Sequence, residues 1–131
     1  MNKSNDLDFD YLNKEGAIFM GAKRSHIDCE IGIIGVEYDG TTSFRPGARF
    51  GPSAIKDVSN GIETFCPQLN IDLKDIQFAD LGYLNIPLGP PEKILKEVNK
   101  VTKLLINKGI KPLIIGGEHS ITVGVIEAIS K

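Results

Sequence analysis

Apolar and polar positions along the chain predict a regular succession of strands and helices. Residues 31–36 form a continuous apolar run, typical of a strand buried on both faces, and residues 75–81 and 113–115 are two further candidate strands. A segment with helical features follows each candidate. The order strand, helix, strand, helix, strand, helix predicts an α/β fold in which a parallel sheet carries helices on its faces through right-handed crossovers.

The three predicted helices differ in the strength of their sequence signals. Proline favours the first turn of the first helix, which should run from residue 52 to about residue 59 or 61. The second helix, over about residues 91–108, has one apolar stripe at steps of three and four, made of Ile94, Leu95, Val98, Val101, Leu104 and Leu105. The third is expected over residues 121–129, with Val125 and Ile126 helping to form its buried face.

Length, composition and charge narrow the class of protein. The 131 residues are enough for one domain, with an N-terminal arm over residues 1–28 that lies on a core over residues 29–131. A net charge of −2 argues against a nucleic-acid partner, and no apolar run is long enough to span a membrane. There is no secretory signal, and Cys29 and Cys66 form no CxxC motif. We therefore expect a cytoplasmic protein with reduced thiols.

The segment after the third strand, Gly116-Gly117-Glu118-His119-Ser120, is the first candidate for chemistry. Ligands of parallel α/β sheets bind beyond the carboxyl ends of the strands, so His119 is a candidate metal ligand or general base. Glu118 could orient its imidazole, and the Ser120 hydroxyl could cap the next helix. Two alternatives stay open: a structural histidine that bonds the backbone, and a phosphate held by the Gly-Gly turn at a helix N-terminus.

The long loop from Asp39 to Pro52, after the first strand, is the second candidate. It should lie at the same edge of the sheet as the first, so that Asp39, Thr42, Ser43 and Arg45 could line a polar pocket. For Arg45 and its neighbour Arg49 we favour structural ion pairs or subunit contacts. Asp80 is expected to end the second strand at this edge, as a pocket wall or a turn cap.

Together, the segments Gly35–Pro52 and Gly116–Ser120 resemble the ureohydrolase family of arginases and agmatinases. The first closely resembles the agmatinase version of the family's first loop. The second matches the family's first metal motif, Gly-Gly-(Asp or Glu)-His-Ser. The resemblance implies a three-layer α/β/α, arginase-like fold and a manganese enzyme of polyamine metabolism that hydrolyses agmatine to putrescine and urea. It also implies that His119 binds metal and that two Mn²⁺ ions activate a bridging water.

Some features depart from the family pattern. Tyr83 stands where the second acid of Asp-x-Gly-Asp is common, and Glu37 stands where a proline is usual. Family members are much longer, and their later motifs, Asp-Ala-His-x-Asp and Asp-x-Asp-x-x-Asp-Pro, are absent from this sequence. Mn²⁺ prefers several oxygen ligands, whereas Asp39, Asp80 and His119 make at best one loose site. No catalytic residue is therefore assigned.

We expect, in consequence, an incomplete ureohydrolase domain of about three strands and three main helices, inactive unless a complementing C-terminal half is supplied. The strand at residues 113–115 should have an unpaired apolar edge, which invites pairing with another chain or a homo-oligomer. The alternative is a non-catalytic binding or regulatory half-domain that pairs through this edge.

Overall fold

The computed structural model describes residues 12–23 and 28–130. The strands within these ranges are β1 (Leu12–Asn13), β2 (Ile31–Val36), β3 (Phe65–Cys66), β4 (Ile71–Asp72), β5 (Phe78–Leu84) and β6 (Lys111–Gly116). The α-helices are α1 (Gly51–Ser59), α2 (Pro91–Asn107) and α3 (Ile121–Ile129). No helix in the described ranges is long and apolar enough to cross a membrane.

The main sheet has the strand order β1-β5-β2-β6. Strands β5, β2 and β6 are parallel, which confirms the predicted α/β class, but β1 runs antiparallel to β5. The N-terminal arm therefore does more than lie on the core: Leu12 pairs with Leu84, and Lys23 forms a bridge with Ala79. The remainder of the predicted arm, residues 1–11 and 24–27, lies outside the described residues.

Helices cover both faces of the sheet. On one face, Ile34 and Val36 of β2 belong to a core with the buried stripe of α2, which contains Ile94, Val98, Val101 and Leu105 as predicted. On the other face, Pro52 of α1 packs against Gly35, where a Cβ would come within 3.2 Å of the proline. The chain thus has the three layers of an α/β/α fold, with the central strand β2 buried on both sides.

The buried face of α3 differs from the prediction. Ile121, Gly124 and Ala128 are buried, whereas Val125 is half-buried and Ile126 is 56% exposed. The reason is the close approach of α3 to α2: a Cβ at Gly124 would lie 2.6 Å from the carbonyl oxygen of Leu95. At this close contact α3 presents Gly124, and the large residue that it buries, Ile121, lies at its first position.

Strand β5 begins later and ends later than predicted. Residues 73–75 form a 3-10 turn, in which the Asp72 carboxylate accepts a hydrogen bond from the backbone N–H of Lys74 at 3.0 Å. The register then shifts, because Ile33 pairs with Asp80 and Gly35 with Tyr83. Gly82, with φ +100°, lies within the extra residues. This bulge turns Asp80 and Tyr83 toward the same face of the sheet. Asp80 consequently lies inside the strand and does not end it.

Strand β6 is the open edge of the main sheet, pairing only with β2 in the described part of the chain. Its residue Leu113 is 47% exposed. On the adjoining helix α3, Val123, Ile126 and Ile129 are each about half exposed. The predicted apolar edge at residues 113–115 is therefore confirmed.

Candidate functional site

The two candidate segments meet at the carboxyl edge of the sheet. Val36 pairs with Gly116 at the ends of β2 and β6, and the pairing continues beyond both strands. The N–H of Gly117 donates to the Val36 carbonyl at 2.9 Å, and the N–H of Glu118 donates to the Tyr38 carbonyl at 2.8 Å. A side chain at position 117 would overlap that Tyr38 carbonyl, so this close approach requires glycine.

Glu118 links the turn to the loop, and it does so through its side chain. One carboxylate oxygen accepts the N–H of Thr41 at 2.9 Å, and the other accepts the hydroxyls of Thr41 and Ser120. The predicted roles were therefore wrong in two respects. Glu118 bonds the loop instead of orienting the imidazole of His119, and the Ser120 hydroxyl bonds Glu118 and does not cap α3. Burial raises the pKa of Glu118, but these hydrogen bonds outweigh it and hold the pKa below its usual value.

Asp39 organises its own loop through its side chain. Its carboxylate accepts the N–H groups of Gly47 at 2.6 Å and Arg49 at 3.2 Å, and it forms an ion pair with the Arg49 guanidinium at 2.8 Å. The bond from Gly47 is the main cause that lowers the pKa of Asp39, and burial opposes it. Arg49 thus forms a structural ion pair, which is the role favoured for it from the sequence. Arg45, in contrast, lies over the ring of Phe44 at 5.2 Å.

His119 is exposed and borders two cavities. The edge cavity, of about 470 Å³, lies along the open side of β6 and is also lined by Pro112, Ile114, Ile121 and Val125. The loop cavity, of about 300 Å³, is walled by Thr41, Thr42, Ser43 and Phe44. Two predicted pocket residues, Thr42 and Ser43, are thus brought beside His119. Arg45 is not among the residues that line this cavity.

Asp80 belongs to a separate buried cluster under α1. It forms an ion pair with Lys56 at 2.8 Å, and both side chains are fully buried. Its oxygens also accept the N–H groups of Phe19 at 2.8 Å and Gly82 at 2.9 Å. Asp80 therefore lies in the interior of β5, under α1, and the bond from Gly82 two residues later is of the kind predicted for a turn cap. The ammonium group of Lys56 lies 3.9 Å from the centre of the Tyr83 ring, so Tyr83, at the position where the family commonly has an acid, contacts the cation of this pair.

The residues present do not fit a two-manganese centre on their own. No group of three or more His, Cys, Asp or Glu side chains suited to a metal ion occurs among residues 12–23 and 28–130. The carboxylates of Asp39 and Glu118 already accept hydrogen bonds from the loop and turn. His119 remains as one exposed imidazole without a cluster of oxygen ligands around it.

Sequence reasoning missed Thr41 and Lys56 as residues that organise this part of the molecule. Thr41 stands in a run of three hydroxyl residues, and nothing in their order tells which one reaches Glu118. Lys56 had a usable signal, because it shares a helical face with Pro52 and Ser59, at steps of four and three. That face of α1 is the buried one, although Ile55 and Val58 on its other side are exposed.

Comparisons with known proteins identify the family. Residues 29–131 match the sequence profile of the arginase family. The agmatinase of Bacillus subtilis is 36% identical over 116 residues, which are 88% of this chain and 40% of that protein. The agmatine ureohydrolase of Thermoplasma volcanium has a TM-score of 0.72 and 31% identity, over 76% of this chain and 34% of that one.

A crystal structure of a Trypanosoma cruzi formiminoglutamase variant with Mn²⁺ gives a TM-score of 0.70 at 25% identity. It covers 80% of this chain and 36% of that one. The chain thus spans about two fifths of the length of the B. subtilis relative it matches. The profile match, the likeness to agmatinases and the shared fold lead to one conclusion: the chain belongs to the arginase family.

Proposed function

We propose that this chain supplies the N-terminal part of an agmatinase-type ureohydrolase, which hydrolyses agmatine to putrescine and urea. In this proposal the manganese pair is completed by residues outside the chain, and the 131 residues alone are inactive. The proposal includes a cytoplasmic location, in keeping with the free thiols of Cys29 and Cys66.

The observation that carries the proposal is the junction of the two family segments at one edge of the sheet. The loop that follows β2 and the turn that follows β6 are hydrogen-bonded through Thr41 and Glu118. Between them, His119 borders both a polar loop cavity and the edge cavity along β6. A strand added to β6 would bring its own carboxyl end next to His119, since parallel strands end at the same edge.

In this arrangement, His119 would be one ligand of the metal pair. When bound, the metal ions would supply a nucleophilic hydroxide at neutral pH. The hydroxyls of the loop cavity are acceptors suited to the N–H groups of a guanidinium. The Gly-Gly turn is unsuited to the alternative phosphate ligand, because the ionised Glu118 carboxylate lies within the same turn and would repel an anion.

A chimaera tests the proposal. This chain is fused to the part of B. subtilis agmatinase that follows the matched segment, and urea release from agmatine is measured with Mn²⁺. We expect urea from the chimaera, none from the 131-residue chain, and none from the chimaera with His119→Ala. A folded chimaera that melts cooperatively and releases no urea would contradict the proposal.

The open edge of β6 favours a second candidate function, a non-catalytic half-domain that pairs with another protein through this edge. Its apolar exposure at Leu113 and on α3 is the specific observation behind it. This candidate predicts that the chain alone forms a stable monomer or homo-oligomer with a cooperative melt and no bound manganese. Urea release by the chimaera that depends on His119 would count against it.

A further inference from the structure

We propose that Glu118 is a positioning residue that fixes the wall of the loop cavity relative to His119. That the cavity receives the guanidino substrate rests on the proposed function. The coupling between the loop and the turn is independent of it. Glu118 itself lines the cavity, and we infer that it acts through Thr41 and Ser120 and does not contact a reacting group.

The geometry around Glu118 carries this inference. Glu118 is only 8% exposed, and within the described part of the chain its carboxylate accepts three hydrogen bonds, all from the two segments that it joins. The bond from the backbone N–H of Thr41, at 2.9 Å, spans 77 residues of sequence. This bond holds the backbone of the loop at Thr41, the first loop residue that lines the cavity.

The bonds on the two sides of His119 explain its orientation. Glu118, before it, and Ser120, after it, are bonded to one another through their side chains. The turn is also fixed at Tyr38, whose carbonyl accepts the N–H of Glu118 at 2.8 Å. These contacts leave His119 as the residue of the trio that remains exposed and borders both cavities.

The charge of Glu118 matters less for this role than its shape. In Glu118→Gln, the amide oxygen can still accept the Thr41 N–H, while the amide nitrogen faces two hydroxyls that can rotate to accept. In Glu118→Ala, every one of these bonds is lost. Because hydrogen bonds to a charged group are the stronger kind, the glutamine variant should be intermediate.

Hydrogen exchange of the Thr41 amide tests the coupling in the 131-residue chain itself. We expect Glu118→Ala to accelerate this exchange about tenfold or more, and Glu118→Gln by less. The ring NMR signals of His119 should move in the same order. The chain has two histidines, so His119→Asn assigns these signals.

Thr41 variants and a matched control separate positioning from a general loss of structure. Thr41→Val should accelerate exchange at residue 41, and Thr41→Ser, which restores the hydroxyl, should reverse the effect. Ser43→Ala, in the same loop but with an exposed side chain, should leave exchange unchanged. The proposal is overturned if Glu118→Ala leaves both the exchange and the His119 signals unaltered in a folded chain. It is also overturned if Ser43→Ala acts as strongly as Thr41→Val.

The active chimaera provides a kinetic readout. There, Glu118→Gln should raise KM for agmatine by a larger factor than it lowers kcat, because a displaced wall weakens substrate binding first. A fall in kcat for the Glu118→Gln chimaera with an unchanged KM would overturn the positioning role. An inactive chimaera would reject the proposed function while the exchange results on the chain still decide the role of Glu118.

Discussion

The buried ion pair between Lys56 and Asp80 makes the sharpest stability prediction. Both side chains are fully buried, and the Lys56 ammonium lies 2.8 Å from Asp80, 3.0 Å from the Gly82 carbonyl and 3.9 Å from the centre of the Tyr83 ring. Lys56→Met keeps much of the side-chain volume but removes the charge. It therefore leaves the Asp80 carboxylate buried without its cation.

Breaking such a pair by removing one partner destabilises a protein by about 3–5 kcal/mol. Asp80 retains the N–H groups of Phe19 and Gly82 as donors, which places the expected loss at the lower end, near about 3 kcal/mol. Domains are typically stable by about 5–15 kcal/mol, so the variant should still fold at low denaturant. With a slope of about 2 kcal/mol per molar urea, the unfolding midpoint should fall by about 1.5 M.

Urea titration followed by circular dichroism measures this loss. Lys100→Met is the matched control, because Lys100 lies at the surface, 3.8 Å from Glu97, and should change stability by less than about 0.5 kcal/mol. Lys56→Met/Asp80→Asn should be more stable than Lys56→Met alone, since no charge is then stranded. A Lys56→Met midpoint within the error of the Lys100→Met midpoint would refute the reasoning.

Two further predictions concern the loop and the turn. The pKa of Asp39 is lowered, chiefly by the bond from Gly47. The ionised carboxylate therefore contributes fully to the stability of the fold above pH 3.8, the ordinary pKa of an Asp, and this contribution is lost as the pH falls through the lower pKa of the folded state. The urea midpoint of the wild type minus that of Asp39→Asn should therefore shrink on acidification, and a constant difference would contradict this. Gly117→Ala should destabilise the chain by about 1–3 kcal/mol in the same titration, because its Cβ overlaps the Tyr38 carbonyl. Gly61→Ala, whose Cβ meets only ordinary contact at 3.4 Å, is the control, and equal midpoints would rule out the steric argument.

The sequence was most informative where local rules and burial agree. The apolar run of β2 and the stripe of α2 predicted their elements, and Gly109, with φ +74°, follows the end of α2 as a glycine should. Prediction failed where tertiary contacts decide the outcome. The extent of β5 depends on a bulge at Gly82, and the buried face of α3 depends on the close approach at Gly124.

For the site, the sequence correctly brought the loop after β2 and the turn after β6 to one edge. It did not predict how their side chains are bonded. Each acid had several possible partners, and only the folded backbone selects them: Glu118 reaches across to Thr41, Asp39 folds back on its own loop, and Asp80 is held inside the sheet. Long-range side-chain pairing of this kind leaves no periodic signal in a sequence.

The two edges of the main sheet differ in a way that limits how copies of this chain could assemble. On one side, the edge of β5 is paired with the two residues of β1, Leu12–Asn13, and with Lys23. Such short segments are poor templates for another strand. On the other side, β6 is long and open in the described part of the chain. Two copies that met through β6 would use up the available edge of each, as in a closed two-fold dimer. Within residues 12–23 and 28–130, no other long edge of the main sheet would then be open for growth into a fibre.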